Sequence, residues 1–147
     1  MKFEQFEAGL SVTAGPYIVT ASEILGFAGA YDPQWFHIDP EAAKCGRWGG
    51  LIASGWQTCA VAMRLAYEAA LINSESWGSP GLDYVKWPAP VRPGDALTFV
   101  GTVQSARRST SKPWLGIVKW RWQLFNQNGA EVLDTTVNSY FDSPIST

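Results

Sequence analysis

Apolar and polar residues alternate most regularly in the second half of the chain. Over residues 118–124, apolar side chains occupy every second position and polar ones lie between them. This period of two predicts a strand with one face in a core. Similar patterns predict strands at about 81–87, 97–103 and 132–141, and residues 126–129 (Asn-Gln-Asn-Gly) predict a hairpin turn before the last of them.

The first half of the chain carries helix-start signals instead. Thr20 with Glu23 three positions later forms a capping-box pattern, which predicts a helix over about 21–30. Asp39 followed by Pro40 predicts a second helix start, with the carboxylate as N-cap and proline in the first helical position. We therefore assign Asp39 a structural role.

A longer helix is predicted from Ser54–Gln57, another capping-box pattern, to about Ile72. It is apolar nearly all round, apart from a narrow polar stripe formed by Gln57, Arg64 and Glu68. A helix of this kind must be covered on most sides. The predicted strands supply that cover, so the fold class is α+β, with a curved antiparallel sheet wrapped around a long central helix.

Length and composition indicate one globular domain over residues 1–147, with 46% hydrophobic and 16% charged residues. The net charge of -2 gives no electrostatic case for nucleic acid or an anionic membrane as partner. Acidic residues near the start do not fit a signal peptide, and polar residues interrupt the apolar segment 51–72. We therefore expect a soluble cytoplasmic protein. Cys45 and Cys59 are too few and too far apart for a zinc cage, so no metal site is predicted.

The strongest chemical signal is the pair Asp32 and His37, the latter being the only histidine in the chain. A carboxylate and an imidazole five positions apart can reach one reacting group from an ordered loop, and the pair can transfer protons without a metal or an organic cofactor. A surface turn with a solvated histidine is the alternative for an isolated pair of this kind.

These elements and this pair together resemble the MaoC-like dehydratases, the (R)-specific enoyl-CoA hydratases of hot-dog fold, from Thr20 to Phe141. The hydratase motif of that family has Asp, two residues including an amide, Pro, an aliphatic residue and His, with a small residue six positions further on. The corresponding residues here are Asp32, Gln34, Trp35, Phe36, His37 and Ala43. Trp35 and Phe36 depart from the usual proline and aliphatic residue, which bears on pocket shape more than on chemistry.

The resemblance implies that Asp32 and His37 activate water and handle the proton at the α-carbon of a trans-2-enoyl thioester, with no cofactor. Water adds to give an (R)-3-hydroxyacyl thioester or leaves in the reverse direction. The resemblance also assigns the Gly55 amide as oxyanion donor and Ser54 as support for the carboxylate. A helix start suits a developing negative charge. Ser54 as an N-cap and nothing more is equally open.

The resemblance further implies an acyl-CoA substrate and a homodimer with its two sheets joined edge to edge. Aromatic and polar residues around the motif are candidates for substrate contact, although they could equally be packing residues. Basic residues between two predicted strands are candidates for the coenzyme A phosphates, although a solvated loop explains them too. The candidates for substrate contact are Gln34, Trp35, Phe36, Trp56, Arg107 and Arg108.

Three other functions stay open from the sequence. A hot-dog thioesterase would use an acidic residue on the central helix, where Glu68 is available, but Glu68 lies four positions from Arg64 and can pair with it. A non-catalytic acyl-CoA-binding subunit would keep the fold without the reaction. A hydratase for a branched, dicarboxylic or aromatic acyl group would keep the reaction in a differently shaped pocket. Trp35, Phe36, Trp48 and Trp56 surround the motif in sequence and could shape such a pocket or serve only in packing.

Overall fold

A computed structural model describes residues 1–143. Helices dominate the chain before residue 72, and long strands follow. The chain begins with a 3₁₀ turn over Phe3–Gln5. In order, the other elements are β1 (Ser11–Ile18), α1 (Ala21–Tyr31), α2 (Trp35–Ile38), α3 (Pro40–Lys44), α4 (Gly55–Ala66) with a π-helical turn over Tyr67–Leu71, β2 (Ser76–Lys86), β3 (Ala96–Arg108), β4 (Leu115–Phe125) and β5 (Glu131–Asp142).

The five strands form one antiparallel sheet in the order β1-β3-β4-β5-β2. Helix α4 packs against the sheet, and its buried residues join those of the strands in a single core. The predicted architecture, an α+β hot-dog with a curved sheet around a central helix, is confirmed. None of the helices within residues 1–143 is long and apolar enough to cross a membrane.

The register between β4 and β5 follows from the period-two pattern. Trp120 lies opposite Val137, and Trp122 lies opposite Thr135. Alternate positions of a strand point to opposite faces, so this register places both indoles on the side of α4. The buried Trp120 Nε1–H donates a hydrogen bond to Ser139 Oγ at 3.0 Å. A slip of one residue would turn the whole apolar set to the other face.

Two predicted helix starts are confirmed by their side-chain hydrogen bonds. Thr20 Oγ1 accepts from the Glu23 N–H at 3.1 Å, and Glu23 Oε2 accepts from the Thr20 N–H at 3.0 Å. Asp39 Oδ1 accepts from the Ala42 N–H at 3.0 Å, which caps α3. Asp39 therefore has the structural role that its position before Pro40 predicts.

The capping box predicted at Ser54 is wrong in detail. Ser54 Oγ accepts from the Trp56 N–H, one residue earlier than a capping box requires, and Gln57 does not reach back. Gln57 is buried, and its Oε1 has no hydrogen-bond partner within residues 1–143. It is therefore not part of an exposed polar stripe with Arg64 and Glu68.

The sequence patterns missed β1 and underestimated β2. Strand β1 lies at one edge of the sheet, its face toward the core is only half-buried, and Gly15-Pro16 breaks its pattern. Proline is tolerated in such an edge strand because it need not donate there. Strand β2 begins at Ser76, five residues before the predicted start, because the Ser79-Pro80-Gly81 segment continues the strand through irregular pairing with β5.

Candidate active site

Helix α1 ends at the first residue of the candidate pair. Asp32 is its C-cap, and the Asp32 N–H donates to the Ala28 carbonyl at 2.9 Å. The one-turn helix α2 then reverses the chain, with the His37 N–H donating to the Gln34 carbonyl at 2.9 Å. This tight path places His37 Nε2 3.3 Å from Asp32 Oδ2.

The other ring nitrogen fixes the tautomer of His37. Nδ1 lies 2.6 Å from the Ile52 carbonyl oxygen, and a carbonyl can only accept, so Nδ1 carries a proton. Nε2 is then the position that gains or loses a proton, and it is the nitrogen that faces Asp32. The imidazole is 6% exposed and therefore held in one orientation.

Two donors hold the Asp32 carboxylate. Ser54 Oγ–H donates to Oδ2 at 2.7 Å, and Gln34 Nε2–H donates to Oδ1 at 2.8 Å. These two hydrogen bonds, that of Ser54 first, lower the pKa of Asp32, and the charge of His37 adds to them against the opposing effect of burial. Asp32 is therefore ionised at neutral pH, beside a histidine nitrogen that can carry a proton.

The N-terminus of α4 lies at the same place. Ser54 caps the helix while bonding Asp32, and Gly55 follows as the first helical residue. No hydrogen bond to the Gly55 N–H is formed among residues 1–143, as is usual for the first turn of a helix. A side-chain carbon on Gly55 would lie 2.5 Å from the Trp87 indole, so only glycine fits this close approach.

A cavity of about 240 Å³ adjoins His37 and Gly55. Two indoles, Trp48 and Trp87, form part of its wall. The sequence indicated Trp48 as a possible pocket residue because it lies near the motif, whereas no sequence pattern indicated Trp87. Arg92 donates to the Trp48 carbonyl and so ties the glycine-rich loop 46–50 to this wall. The lining is His37, Trp48, Ile52, Ala53, Gly55, Thr58 and residues 87–91 (Trp-Pro-Ala-Pro-Val).

The structure places the other aromatic candidates around this cavity rather than in its lining. Phe36 lies edge-on to the His37 ring, with centroids 4.4 Å apart. Trp35 packs edge-on to Phe36 and over Gly46. Trp56 is exposed and meets Trp87 edge-on at 5.5 Å. Phe36 and Trp56 therefore contact two residues of the cavity wall, His37 and Trp87. Gln34 instead donates a hydrogen bond to the Asp32 carboxylate.

Arg107 and Arg108 are not brought to this cavity within one chain. They are the last residues of β3 and not part of a loop, which corrects the sequence prediction. Arg108 donates to the Ser143 carbonyl at 2.7 Å and lies 3.5 Å from Glu4. Contact of these two residues with a substrate stays a prediction. Within residues 1–143, no group of three or more His, Cys, Asp or Glu side chains is placed to hold a metal ion.

Comparison with known proteins gives consistent matches. A family model described as "MaoC like domain" matches residues 5–118. The Bacillus subtilis protein YdeM, described as uncharacterized, is 30% identical over 134 residues, which cover 91% of this chain and 94% of YdeM. The 3-hydroxyacyl-thioester dehydratase Z of Mycobacterium tuberculosis is 38% identical over 81 residues, 54% of each chain, so that match spans about half of the dehydratase.

Solved structures share the whole fold. The crystal structure of the MaoC-like dehydratase from Rhodospirillum rubrum has a TM-score of 0.89 and 37% identity, and the match covers 97% of each chain. The (R)-hydratase from A. caviae involved in PHA biosynthesis has a TM-score of 0.72 at 22% identity, covering 92% of this chain and 97% of the hydratase. At that identity the second likeness concerns the fold alone.

Proposed function

The chain belongs to the MaoC-like dehydratase family, and from this membership and its site geometry we propose that it is a hydratase or dehydratase of acyl thioesters. The substrate is a trans-2-enoyl thioester of coenzyme A, and the product of hydration is the (R)-3-hydroxyacyl thioester. The observation that carries the proposal is the 3.3 Å approach of His37 Nε2 to Asp32 Oδ2, beside a helix start and a cavity.

The Asp32–His37 pair moves the protons of the reaction. A water molecule held by the pair adds its oxygen to the β-carbon and gives one proton to the pair. The pair returns one proton to the α-carbon, so that the elements of water are added and the pair regains its starting state. Dehydration is the same sequence in reverse. A carboxylate that is ionised at neutral pH suits the acceptance of the first proton.

Negative charge develops on the thioester oxygen as water attacks, and the start of α4 suits it. Among residues 1–143 the Gly55 N–H has no acceptor, and the helix N-terminus carries a partial positive charge. Such preorganised donors stabilise the charge that develops in the transition state. We therefore propose the Gly55 amide as the oxyanion donor and Ser54 as the residue that positions Asp32.

Replacement of the pair tests the proposal. In crotonyl-CoA hydration, followed by loss of enoyl absorbance, Asp32→Asn and His37→Ala should each lower kcat/KM by at least about 100-fold, because one positioned acid or base contributes about 10²–10⁴ in rate. Asp39→Asn is the matched control, since Asp39 caps α3 and asparagine also caps helices. Residual activity above a tenth of wild type in either variant, with circular dichroism unchanged, would contradict the proposed roles.

Product analysis separates the proposal from a thioesterase. Glu68, the acidic residue that such an enzyme would need on the central helix, lies in the π-helical turn, bonds Arg64 Nε at 2.6 Å and does not line the cavity at His37. We therefore expect loss of enoyl absorbance without release of free thiol. Thiol release would favour the thioesterase, and binding of acyl-CoA with no turnover of any enoyl-CoA would favour a non-catalytic subunit.

The proposal also covers the oligomeric state, the domain organisation and the cellular location. We propose a homodimer in which two sheets join edge to edge, and one MaoC-like domain over residues 1–147. A cytoplasmic location, and the lack of a nucleic-acid or membrane partner, stay predictions of the sequence.

A further inference from the structure

A second cavity lies one helical turn along α4 from the candidate site. Its volume is about 220 Å³, and its exposed lining is almost wholly apolar. It lies between α4 and the inner face of the sheet, where β2, β4 and β5 meet. The lining residues are Cys59, Ala62, Met63, Ser79, Leu82, Trp122, Leu133, Thr135 and Val137.

The Trp87 side chain lines one cavity and contacts a residue that lines the other. It lines the cavity at His37 and packs against Gly55, where an added carbon would approach its indole to 2.5 Å. It also approaches the thiol of Cys59, which lines the second cavity. Gly55 and Cys59 are four residues apart and therefore share one face of α4. One indole thus touches the wall of each cavity.

The volumes of the two cavities explain why the position of Trp87 matters. Pockets that bind small molecules usually measure about 300–1,000 Å³. The cavities of about 240 and 220 Å³ are each smaller than that, whereas together they fall within the range. The second cavity has an apolar lining that suits an alkyl chain and would leave a polar group unpaired.

We propose that Trp87 determines acyl-chain length: it closes the catalytic cavity against the second cavity and so favours short acyl groups over long ones. The inference rests on the proposed acyl-thioester function. Trp87 is 42% exposed, so its removal or displacement does not open the buried core. An acyl chain that passes the position of Trp87 enters the space between α4 and the sheet and gains apolar contacts there.

Activity with two chain lengths tests the inference. Wild type should have a higher kcat/KM for crotonyl-CoA than for trans-2-octenoyl-CoA, and Trp87→Ala should raise the octenoyl-to-crotonyl ratio by at least about tenfold, since each methylene that gains an apolar site contributes about 10-fold or more. Trp77→Ala is the matched control, because Trp77 lies in β2, the strand that ends just before Trp87, is 50% exposed and lines neither cavity. An unchanged ratio in Trp87→Ala, or an equal rise in Trp77→Ala, would overturn the inference.

Filling the second cavity gives an independent test. In combination with Trp87→Ala, Met63→Trp should abolish the rise in the octenoyl-to-crotonyl ratio of kcat/KM, because the larger side chain fills the second cavity. Met63→Trp alone should leave that ratio unchanged. A lower ratio in Met63→Trp alone would show that the second cavity is already open in wild type, which overturns the inference. The Met63→Trp variant can therefore overturn the inference even where Trp87→Ala does not fold.

Binding of saturated thioesters separates this inference from the proposed reaction. Isothermal titration of butyryl-CoA and octanoyl-CoA needs no turnover, and Trp87→Ala should improve octanoyl-CoA binding relative to butyryl-CoA by about tenfold. A wild type that hydrates neither enoyl-CoA would contradict the proposed function, whereas an unchanged binding ratio in Trp87→Ala would contradict the role of Trp87 alone.

Discussion

Hydrogen bonds with neighbouring groups determine the tautomer of His37 and favour the ionised form of Asp32. The Ile52 carbonyl requires a proton on Nδ1, and this leaves Nε2 as the nitrogen that meets the carboxylate. Ser54 and Gln34 supply two donors to that carboxylate, one to each oxygen. The charged form of the Asp32 carboxylate is thereby favoured even in a partly buried place.

Removal of the Ser54 hydroxyl should raise the pKa of Asp32. The hydroxyl bonds the ionised form, so Ser54→Ala favours the protonated form and moves the titration to higher pH. If the ionised carboxylate is required, the fall of kcat/KM on acidification should then begin at higher pH than in wild type. An NMR titration of the Asp32 carboxyl carbon measures the shift directly.

Two further variants separate this effect from loss of the helix cap. Gln34→Leu removes the donor to the other oxygen without touching α4 and should shift the pKa in the same direction. Ser22→Ala removes an exposed hydroxyl from α1 and should change nothing. If the carboxyl titration of Ser54→Ala coincides with that of wild type, the hydroxyl does not set the ionisation of Asp32.

The sequence predicted some site residues and could not predict others, for a physical reason. Asp32 and His37 are close along the chain, so one loop brings them together. Ser54 lies 22 residues from Asp32, and only the family resemblance linked the two. Trp48 was a possible pocket residue because it lies near the motif in sequence, whereas Trp87 belongs to a distant segment that meets the site only in the folded chain.

Among the secondary-structure elements, those with a regular alternation of apolar and polar residues could be predicted from the sequence. Strands β4 and β5 bury one face fully, so their patterns predicted them nearly to their ends. Strand β1 has little apolar alternation because it buries its inner face only in part. The start of α4 was located correctly, but the role of Gln57 was wrong, because burial against neighbouring elements, and not its place three residues after Ser54, determines its contacts.

The first turn of α4 has no space for a side chain at Gly55. Gly55→Ala would bring a methyl group to 2.5 Å from the Trp87 indole, so the indole or the helix start must move. We expect kcat/KM for crotonyl-CoA to fall by about tenfold or more, since a displacement of about 1 Å can cost as much as 10²-fold. Gly55→Ala combined with Trp87→Ala should recover much of the activity, and no recovery would show that the clash with Trp87 is not the cause.

Gly29 provides a matched glycine on another helix. It lies within α1, and an added carbon there meets nothing within 4 Å. Gly29→Ala should therefore keep wild-type activity and raise the free energy of unfolding by about 0.5–1 kcal/mol, because alanine loses less backbone entropy in a helix. Urea unfolding measures the difference. A destabilised Gly29→Ala variant would show that this face of α1 is covered in solution.

At the scale of the whole molecule, the single chain leaves two surfaces that suit a second copy. One is a stripe of exposed apolar residues along α4 that includes Trp56, Met63 and Tyr67. The other is the outer edge of β2, which among the described residues 1–143 pairs with β5 alone. Unpaired strand edges bind other strands readily, and monomers seldom leave such features bare. Both surfaces support the edge-to-edge homodimer proposed above.

A charge in the middle of β2 should separate that dimer. In an antiparallel two-fold pairing, a residue near the centre of the strand approaches its own counterpart, and Leu82 lies near the centre of Ser76–Lys86. Leu82→Lys would bring two ammonium groups together across the axis, which is unfavourable. Light scattering after size exclusion should give twice the mass of one chain for wild type and the mass of one chain for Leu82→Lys. Ile18→Lys, on the opposite edge of the sheet, is the control and should stay dimeric. Dissociation of both variants, or of neither, would show that the two copies do not meet along β2.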